Sequence, residues 1–179
     1  MIIGGSSSYQ AWADVIEGTE GEDIIVGTPG DDIIDSKGGN DGNIGDILEG
    51  DGSGDDVIFS GEGPDFNEGD TLRGIGSGYD IIVSGEGDDA NFGDTVEGNG
   101  SGDDVIISGE GEDDNFGDAF PEVGGTGSGD DVIISGEQDD TNTGNGGRDI
   151  FVCGGGEGDT VTDYNEEEGD LAIPDCENV

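Results

Sequence analysis

The chain has 179 residues, with 47 Asp and Glu against 3 Lys and Arg and no His, so its formal net charge at pH 7 is −44. Three basic residues cannot neutralise a phosphate backbone, which excludes nucleic-acid binding, and the lack of histidine excludes enzymes that need an imidazole. Leu, Ile, Val and Phe make up only about a fifth of the residues, so a conventional apolar core is excluded and either disorder or cation-dependent folding remains.

Residues 1–13 share no pattern with the rest of the chain, and we predict that they form an N-terminal cap. Met1, Ile2 and Ile3 are followed by glycine and serine, without the basic start and apolar core of a secretory signal. We therefore expect either a signal that has already been removed or another route of export. No stretch approaches the roughly 20 apolar residues that cross a bilayer, so no transmembrane segment is predicted.

A nine-residue pattern follows in two consecutive copies. Residues 18–26 read GTEGEDIIV and residues 27–35 read GTPGDDIID. The short runs of isoleucine and valine favour strands, and the glycine-rich stretches favour turns, since glycine adopts positive φ without steric cost. The alternation predicts coils of a β-solenoid, in which each strand pairs with a strand one coil away at about 4.8 Å.

From Asp32 onward the repeat lengthens to 24 residues. Aspartates precede the apolar runs at Asp56, Asp80 and Asp104, and Asp131 follows after 27 residues. The residue two positions after an aspartate is predicted to point inward. The predicted apolar stack comprises Ile34, Leu48, Ile58, Leu72, Ile82, Val96, Ile106, Phe120 and Ile133. One apolar side chain per half-coil is too little to offset the chain entropy, so another source of stability is expected.

A second motif, Asp-x-Asn-x-Gly-Asp, occupies residues 41–46, 65–70, 89–94 and 113–118. Alternating oxygen ligands before a turn glycine follow the logic of an EF-hand loop, although the glycine comes one position early and no Glu follows at position twelve. We interpret the motif as an additional or enlarged calcium site; the alternative is an Asx-turn loop whose side chains bond only to the backbone. Its predicted ligands are Asp41, Asn43, Asp65, Asn67, Asp89, Asn91, Asp113 and Asn115.

The two cysteines, Cys153 and Cys176, enclose a loop of 22 residues near the C-terminus. A disulfide between them would contribute about 3 kcal/mol in the chain-entropy model and would fit an oxidising compartment. Two reduced, buried thiols are the alternative. The lack of His and of clustered Cys, together with the many carboxylates, favours a hard cation over zinc or copper.

The pattern Gly-Gly-x-Gly-x-Asp-x-(apolar)-x resembles the nonapeptide of RTX (repeats-in-toxin, haemolysin-type) calcium-binding proteins, over residues 14 to about 163. Thr19 and Thr28 depart from it by replacing the second glycine. The resemblance implies an all-β fold, a parallel β-roll with calcium between turns, held by the sixth-position aspartates and turn carbonyls. The aspartates that match this position are Asp23, Asp32, Asp46, Asp56, Asp70, Asp80, Asp94, Asp104, Asp118 and Asp131. The family coil is 18 residues long, so the 24-residue coil is an expansion.

The resemblance also sets the expected domain boundaries. Residues 14–163 are predicted to form the roll, and residues 164–179 a C-terminal cap. In the strands, residues that flank an inward position point outward, which predicts an apolar outer face. Its residues include Val57, Ile81, Val105 and Val132. We expect either self-association through this face or its coverage by the inserted loops that carry Phe92 and Phe116.

These observations predict a secreted, extracellular or cell-surface protein that binds several calcium ions and folds on binding them. Its role would be structural, as a surface, matrix or adhesive component. The alternative is a secretion and folding appendage of a larger extracellular enzyme or toxin. We expect no catalytic activity, because every carboxylate is repeated along the chain and no nucleophile elbow is present.

Overall fold

The computed structural model describes residues 2–3, 14–121, 124–173 and 176, and for Ile2 and Ile3 only the backbone. The described chain is a parallel β-solenoid of about six turns, which confirms the predicted fold class. Most of the predicted N-terminal cap and part of the predicted C-terminal cap lie outside the described residues, and the domain boundaries stay predictions.

Strands on successive sides of each coil stack into three parallel sheets, which we name by their content. The isoleucine sheet contains β2 (Val15–Glu17), β4 (Ile33–Asp35), β7 (Val57–Glu62), β10 (Ile81–Glu86), β13 (Val105–Glu110), β15 (Val132–Ile134), β17 (Ile150–Val152) and β19 (Leu171–Ala172). The asparagine sheet contains β1 (Ile2–Ile3), β3 (Ile24–Val26), β5 (Gly42–Ile44), β8 (Phe66–Glu68), β11 (Ala90–Phe92), β14 (Asp114–Phe116), β16 (Thr141–Thr143) and β18 (Thr160–Val161). The edge sheet contains β6 (Gly50–Asp51), β9 (Thr71–Ile75) and β12 (Thr95–Asn99).

The 24-residue coil is an 18-residue coil with an insertion in one half. Nine residues separate Asp56 from Asp65, as they separate Asp14 from Asp23, and this half joins the isoleucine sheet to the asparagine sheet. The return half, from Asp65 to Asp80, takes fifteen residues and carries the edge sheet. The insertion therefore leaves the basic two-sided coil intact and adds a third side.

The interior of the isoleucine sheet is the predicted apolar column. Its central strands place Ile58, Ile82 and Ile106 in register, each fully buried, and the column continues into Phe151 near the C-terminal end. Seven of the ten residues in the buried apolar cluster are isoleucine, and identical β-branched side chains stack well at the strand spacing.

For the other half of the apolar stack the prediction is wrong. Leu48 is 49% exposed, and Leu72, Val96 and Phe120 are only half-buried. In the second half-coil the inward position follows another aspartate, which lies nine residues after the aspartate of the first half-coil. The residue two positions after this second aspartate points inward, and it is asparagine. The inward asparagines are Asn43, Asn67, Asn91, Asn115 and Asn142.

These asparagines form a hydrogen-bonded ladder inside the solenoid. Asn67 donates one amide hydrogen to the amide oxygen of Asn91 in the next coil, at 3.0 Å, and another to Ser60 Oγ at 3.0 Å. The hydroxyl of Ser60 donates in turn to the Ser84 carbonyl at 3.3 Å. The polar interior is stable because each buried amide group in the middle of the ladder is paired. Ile25 and Val161 close its two ends with apolar side chains.

The edge sheet covers the outer face of the asparagine sheet and creates a second small core. Phe92 and Phe116 lie there, stacked with their ring centroids 5.0 Å apart, and only 5% and 9% exposed. They do not cover the isoleucine sheet, so the expectation that the inserted loops would fold over that face is wrong. Phe59, Ile81 and Ile107 on its outer side are 36–44% exposed.

The C-terminal end is closed by a disulfide between Cys153 and Cys176, which resolves the two alternatives for these cysteines. Cys153 is buried within the apolar cluster, and Tyr164 packs against the same cluster. None of the described residues forms a helix of the length and hydrophobicity that a membrane crossing requires.

Candidate metal centre

Two ladders of aspartate run along the solenoid, one at the start of each long sheet. In the first ladder the backbone N–H of Asp32 donates to Asp56 Oδ1 at 2.6 Å, and the backbone N–H of Asp56 donates to Asp80 Oδ1 at 2.7 Å. The first ladder comprises Asp14, Asp32, Asp56, Asp80, Asp104, Asp131, Asp149 and Asp170. The second ladder comprises Asp23, Asp41, Asp65, Asp89, Asp113, Asp140 and Asp159.

Each ladder contact uses only one carboxylate oxygen. For most ladder aspartates the other oxygen, Oδ2, is buried with no hydrogen-bond partner among the described residues. The aspartates in this state are Asp41, Asp56, Asp65, Asp80, Asp89, Asp104, Asp113, Asp131, Asp149 and Asp159. A buried, unpaired carboxylate oxygen is costly, so these positions require a proton or a cation.

The first coils satisfy this oxygen in another way. Thr28 donates to Asp32 Oδ2 from its backbone N–H at 2.6 Å and from its hydroxyl at 2.9 Å. Thr19 makes the same pair of hydrogen bonds to Asp23 Oδ2. Thr19 and Thr28, which depart from the nine-residue pattern, therefore donate the hydrogen bonds to Oδ2 at the N-terminal end of the two ladders. There they take the place of the proton or cation that the later aspartates require.

A third row of carboxylates, the insertion column, belongs to the long coils alone. Its members are Asp46, Asp70, Asp94 and Asp118, all fully buried. Asp70 Oδ2 accepts the backbone N–H of Gly78 at 3.0 Å, while its Oδ1 has no partner in the described structure. The insertion column lies against the first ladder: ligand oxygens of Asp46, Asp56 and Asp70 lie within 4.8 Å of one another, as do those of Asp70, Asp80 and Asp94.

Burial and mutual repulsion disfavour the charged form of these carboxylates. Burial, followed by the charge of Asp46, raises the pKa of Asp56 from 3.8 to about 9. Burial and the adjacent Asp94 and Asp46 carboxyls raise the pKa of Asp70 to about 10. In the second ladder, burial and neighbouring carboxylates raise the pKa of Asp89 by less, to about 7. At neutral pH Asp56 and Asp70 thus hold their charge only beside a positive partner.

A scan against protein-family models matches the RTX calcium-binding nonapeptide repeat, in four copies, to residues 13–42, 46–66 and 126–151. These three segments carry RTX calcium-binding repeats. Searches of curated proteins and of solved structures each found no match. In the structure the unmatched long coils continue the same ladders as the RTX-matched segments, so the repeat geometry persists where the insertions obscure the nine-residue pattern.

The RTX repeats bind calcium, and the donor set here fits that ion. Calcium prefers oxygen ligands, mainly carboxylates and backbone carbonyls, at about 2.3–2.6 Å, and it tolerates irregular geometry. The rows of unpartnered carboxylate oxygens supply such ligands without histidine or a free thiol among the described residues. The described structure therefore fits a calcium-binding β-roll.

The structure brings the predicted aspartates together and separates them from the predicted asparagines. The side chains of Asn67, Asn91 and Asn115 each donate and accept within the interior ladder. These asparagines therefore have a structural role in the interior. The ligand set that we propose consists of carboxylates. Asp140, Asp149 and Asp159 were missing from the predicted set, although nine residues separate Asp131 from Asp140 and Asp140 from Asp149, the spacing of the first repeats.

Proposed function

We propose that this chain is a secreted, non-catalytic β-roll whose folding is driven by calcium. The observation that carries the proposal is the repeated, buried and unpartnered Oδ2 of the ladder aspartates. A chain with a net charge of −44 gains little from bringing these groups together unless cations bind at the same time. Folding and calcium binding are then one equilibrium.

In the folded chain, hydrogen bonds from the protein's own backbone position the ligands. The backbone N–H of Asp56 fixes the carboxylate of Asp80 in the next coil, so the free oxygens face the space between neighbouring turns in a constant register. The interior isoleucine and asparagine columns hold that register, since a slip of one residue would place them outside. Bound calcium would supply the positive charge that lets the buried carboxylates ionise.

The repetition of the carboxylates supports a non-catalytic role. Each buried ladder aspartate in the long coils has a counterpart one coil away with the same partner and the same burial. An acid–base pair for catalysis needs two groups whose surroundings differ. The ladders instead provide equivalent ligands, which suits a structural component of a surface or matrix.

The disulfide and the exposed apolar face support an extracellular, structural role. Disulfides persist in oxidising compartments, and Cys153–Cys176 closes the C-terminal coil. On the outer side of the isoleucine sheet an apolar column runs through Val57, Ile81 and Val105, in register along the sheet. We propose that this face pairs with a second copy of the chain, because flat apolar surfaces of this kind mark partner sites.

A circular dichroism titration tests the proposal. The chain in chelator at pH 7.5 is expected to give the spectrum of an unfolded chain, and added calcium is expected to produce a cooperative β-sheet signal. Magnesium at the same concentration should produce much less, since it demands a tighter and more regular site. An identical β-sheet signal with and without calcium would refute calcium-driven folding.

A further inference from the structure

We infer that the insertions build a row of cation sites of their own, in which Asp70 is shared by two neighbouring calcium ions. One site would lie between Asp46, Asp56 and Asp70, and the next between Asp70, Asp80 and Asp94. The inference rests on the proposed calcium binding and extends it, because the nine-residue repeat alone supplies only the first-ladder carboxylate of each site. The insertion supplies the other two.

The distances between the carboxylates suit a calcium ion. In each cluster the three ligand oxygens lie within 4.8 Å of one another. Two oxygens that bind one calcium ion at 2.3–2.6 Å are separated by at most about 5 Å. All five aspartates are no more than 1% exposed, so water does not compensate their charge.

The carboxylate oxygens in these clusters lack other partners. Asp46 Oδ1, Asp56 Oδ2 and Asp70 Oδ1 have no hydrogen-bond donor among the described residues, and the same holds for the equivalent oxygens of the second cluster. The second oxygen of each insertion carboxylate is fixed, since Gly54 donates to Asp46 Oδ2 at 3.1 Å and Gly78 to Asp70 Oδ2 at 3.0 Å. One oxygen of each carboxylate is thus held and the other is free to bind an ion.

The glycine before each insertion aspartate lets a carbonyl oxygen and a ladder carboxylate approach the backbone closely. A Cβ built on Gly45 would collide with both the carbonyl oxygen of Gly69 and Asp56 Oδ2, and a Cβ on Gly69 would collide with the carbonyl oxygen of Gly93 and with Asp80 Oδ2. A carbonyl and a carboxylate that face the same space with no donor between them repel, and a cation removes this repulsion. Glycine at this position therefore lets the two oxygens converge, which a side chain would prevent.

Sharing of Asp70 couples the two sites along the roll. Its carboxylate is the one member common to both clusters, and it lies one coil from Asp46 and one coil from Asp94. Removing the charge of Asp70 should therefore weaken the binding of two ions. Asp46 belongs to the first cluster, so removing its charge should weaken the binding of one ion. This difference separates a shared row from independent sites.

The test counts bound calcium by native mass spectrometry in Asp70→Asn and Asp46→Asn. The matched control is Asp51→Asn, which removes an exposed charge from the same insertion. At the free calcium concentration that just saturates the control, we expect one ion fewer for Asp46→Asn and two fewer for Asp70→Asn. Circular dichroism on the same samples reports whether each variant is folded.

Each outcome decides one question. Equal ion counts in all three variants, with the wild type folding in calcium, would overturn the insertion row and leave the proposed function intact. A loss of one ion in Asp70→Asn would overturn the sharing. If Asp70→Asn does not fold, Asp46→Asn decides: one ion fewer in a folded chain supports the row, and an unchanged count overturns it. A wild type that binds no calcium would overturn the proposed function as well.

Discussion

The Asn67 side-chain amide donates a hydrogen bond of 3.0 Å to the Asn91 amide oxygen, inside the solenoid and one coil away. Asn91 repeats this contact with Asn115 at 2.9 Å and also donates to Ser84 Oγ at 3.1 Å. The interior of the long coils thus combines an apolar column on one sheet with a hydrogen-bonded polar column on the other. Hydrogen bonding, rather than apolar burial, holds half of the core together.

Replacing Asn91 with Ala should destabilise the calcium-loaded fold by about 3 kcal/mol, because it leaves an amide hydrogen of Asn67 and the amide oxygen of Asn115 unpaired in the interior. Urea unfolding in saturating calcium measures the loss. The control is Asn40→Ala at an exposed position, where we expect a change below about 0.5 kcal/mol. The number of bound ions should stay that of the wild type; loss of an ion at unchanged stability would instead assign Asn91 to a metal site.

The asparagine column shows why only part of this core could be predicted from the sequence. The isoleucine column was predictable because each aspartate is followed two residues later by an apolar side chain. At Asn43 the same position is polar. The pattern of an aspartate two residues before an apolar side chain therefore predicted Leu48 as the inward residue instead. Asparagine becomes a core residue only beside an identical residue in the next coil, so its role depends on the register between coils.

The metal site was predictable to a similar extent. Ladder positions such as Asp56 followed from their regular spacing and from the resemblance to a known repeat. The clustering of Asp46 with Asp56 and Asp70 could not be predicted from the sequence. It depends on the path of a fifteen-residue half-coil and on an edge sheet whose sequence does not strongly favour strands. The invariant spacing of nine residues from Asp32 to Asp41 and from Asp56 to Asp65 was the available signal for the second ladder.

The metal-free fold should become more stable as the pH falls. Asp56 and Asp131 have pKa values of about 9 in the fold because of burial and neighbouring carboxylates, against 3.8 as the ordinary value. Between these values the folded state holds protons that the unfolded chain has released, so stability is greatest below about pH 4 and is lost as the pH rises toward 9. Circular dichroism in chelator should therefore show β-sheet gained on acidification from pH 8 to 4.

Protons and calcium compete for the same oxygens in this scheme. The calcium concentration at the folding midpoint should fall as the pH falls from 8 to 6, because protons bound to the ladder carboxylates of the fold take over part of the stabilisation that calcium supplies at pH 8. Calcium titrations at a series of pH values give this midpoint. A midpoint that does not move with pH, together with a chain that stays unfolded in chelator at pH 4, would contradict the assignment of the buried carboxylates as ligands.

Glu68 is a buried carboxylate that lies outside both aspartate ladders. It is fully buried beneath the edge sheet, its Oε1 accepts the Val96 N–H at 2.9 Å, and burial raises its pKa from 4.5 to about 8. Between pH 4.5 and 8 the fold keeps a proton on Glu68 that the unfolded chain loses, so this residue lowers stability as the pH rises. Glu68→Gln keeps the acceptor oxygen and removes the ionisation.

The Glu68→Gln variant should therefore be more stable than the wild type at pH 9, by on the order of 2–4 kcal/mol, and nearly equal to it below pH 4.5. Urea unfolding in saturating calcium at pH 4.5, 7 and 9 measures the difference. Glu112→Gln changes an exposed glutamate in a neighbouring coil and should differ little from the wild type at every pH. Equal stability of Glu68→Gln and wild type at pH 9 would contradict a buried, proton-holding Glu68.

The outer face of the isoleucine sheet carries exposed apolar side chains. Val83 and Ile107 lie in register on adjacent strands with their side chains outward, and Ile107 is 36% exposed. Replacing both with Thr keeps β-branched residues in the strands but removes apolar surface, so it should abolish pairing of two rolls without unfolding either. Sedimentation in calcium should then show a multiple of 18.0 kDa for the wild type and 18.0 kDa for the double variant. Ile24→Thr, at a position 56% exposed on the other long sheet, serves as the control and should keep the wild-type mass. A wild type that sediments as a single chain, or a double variant with the wild-type mass, would rule out this face as the interface.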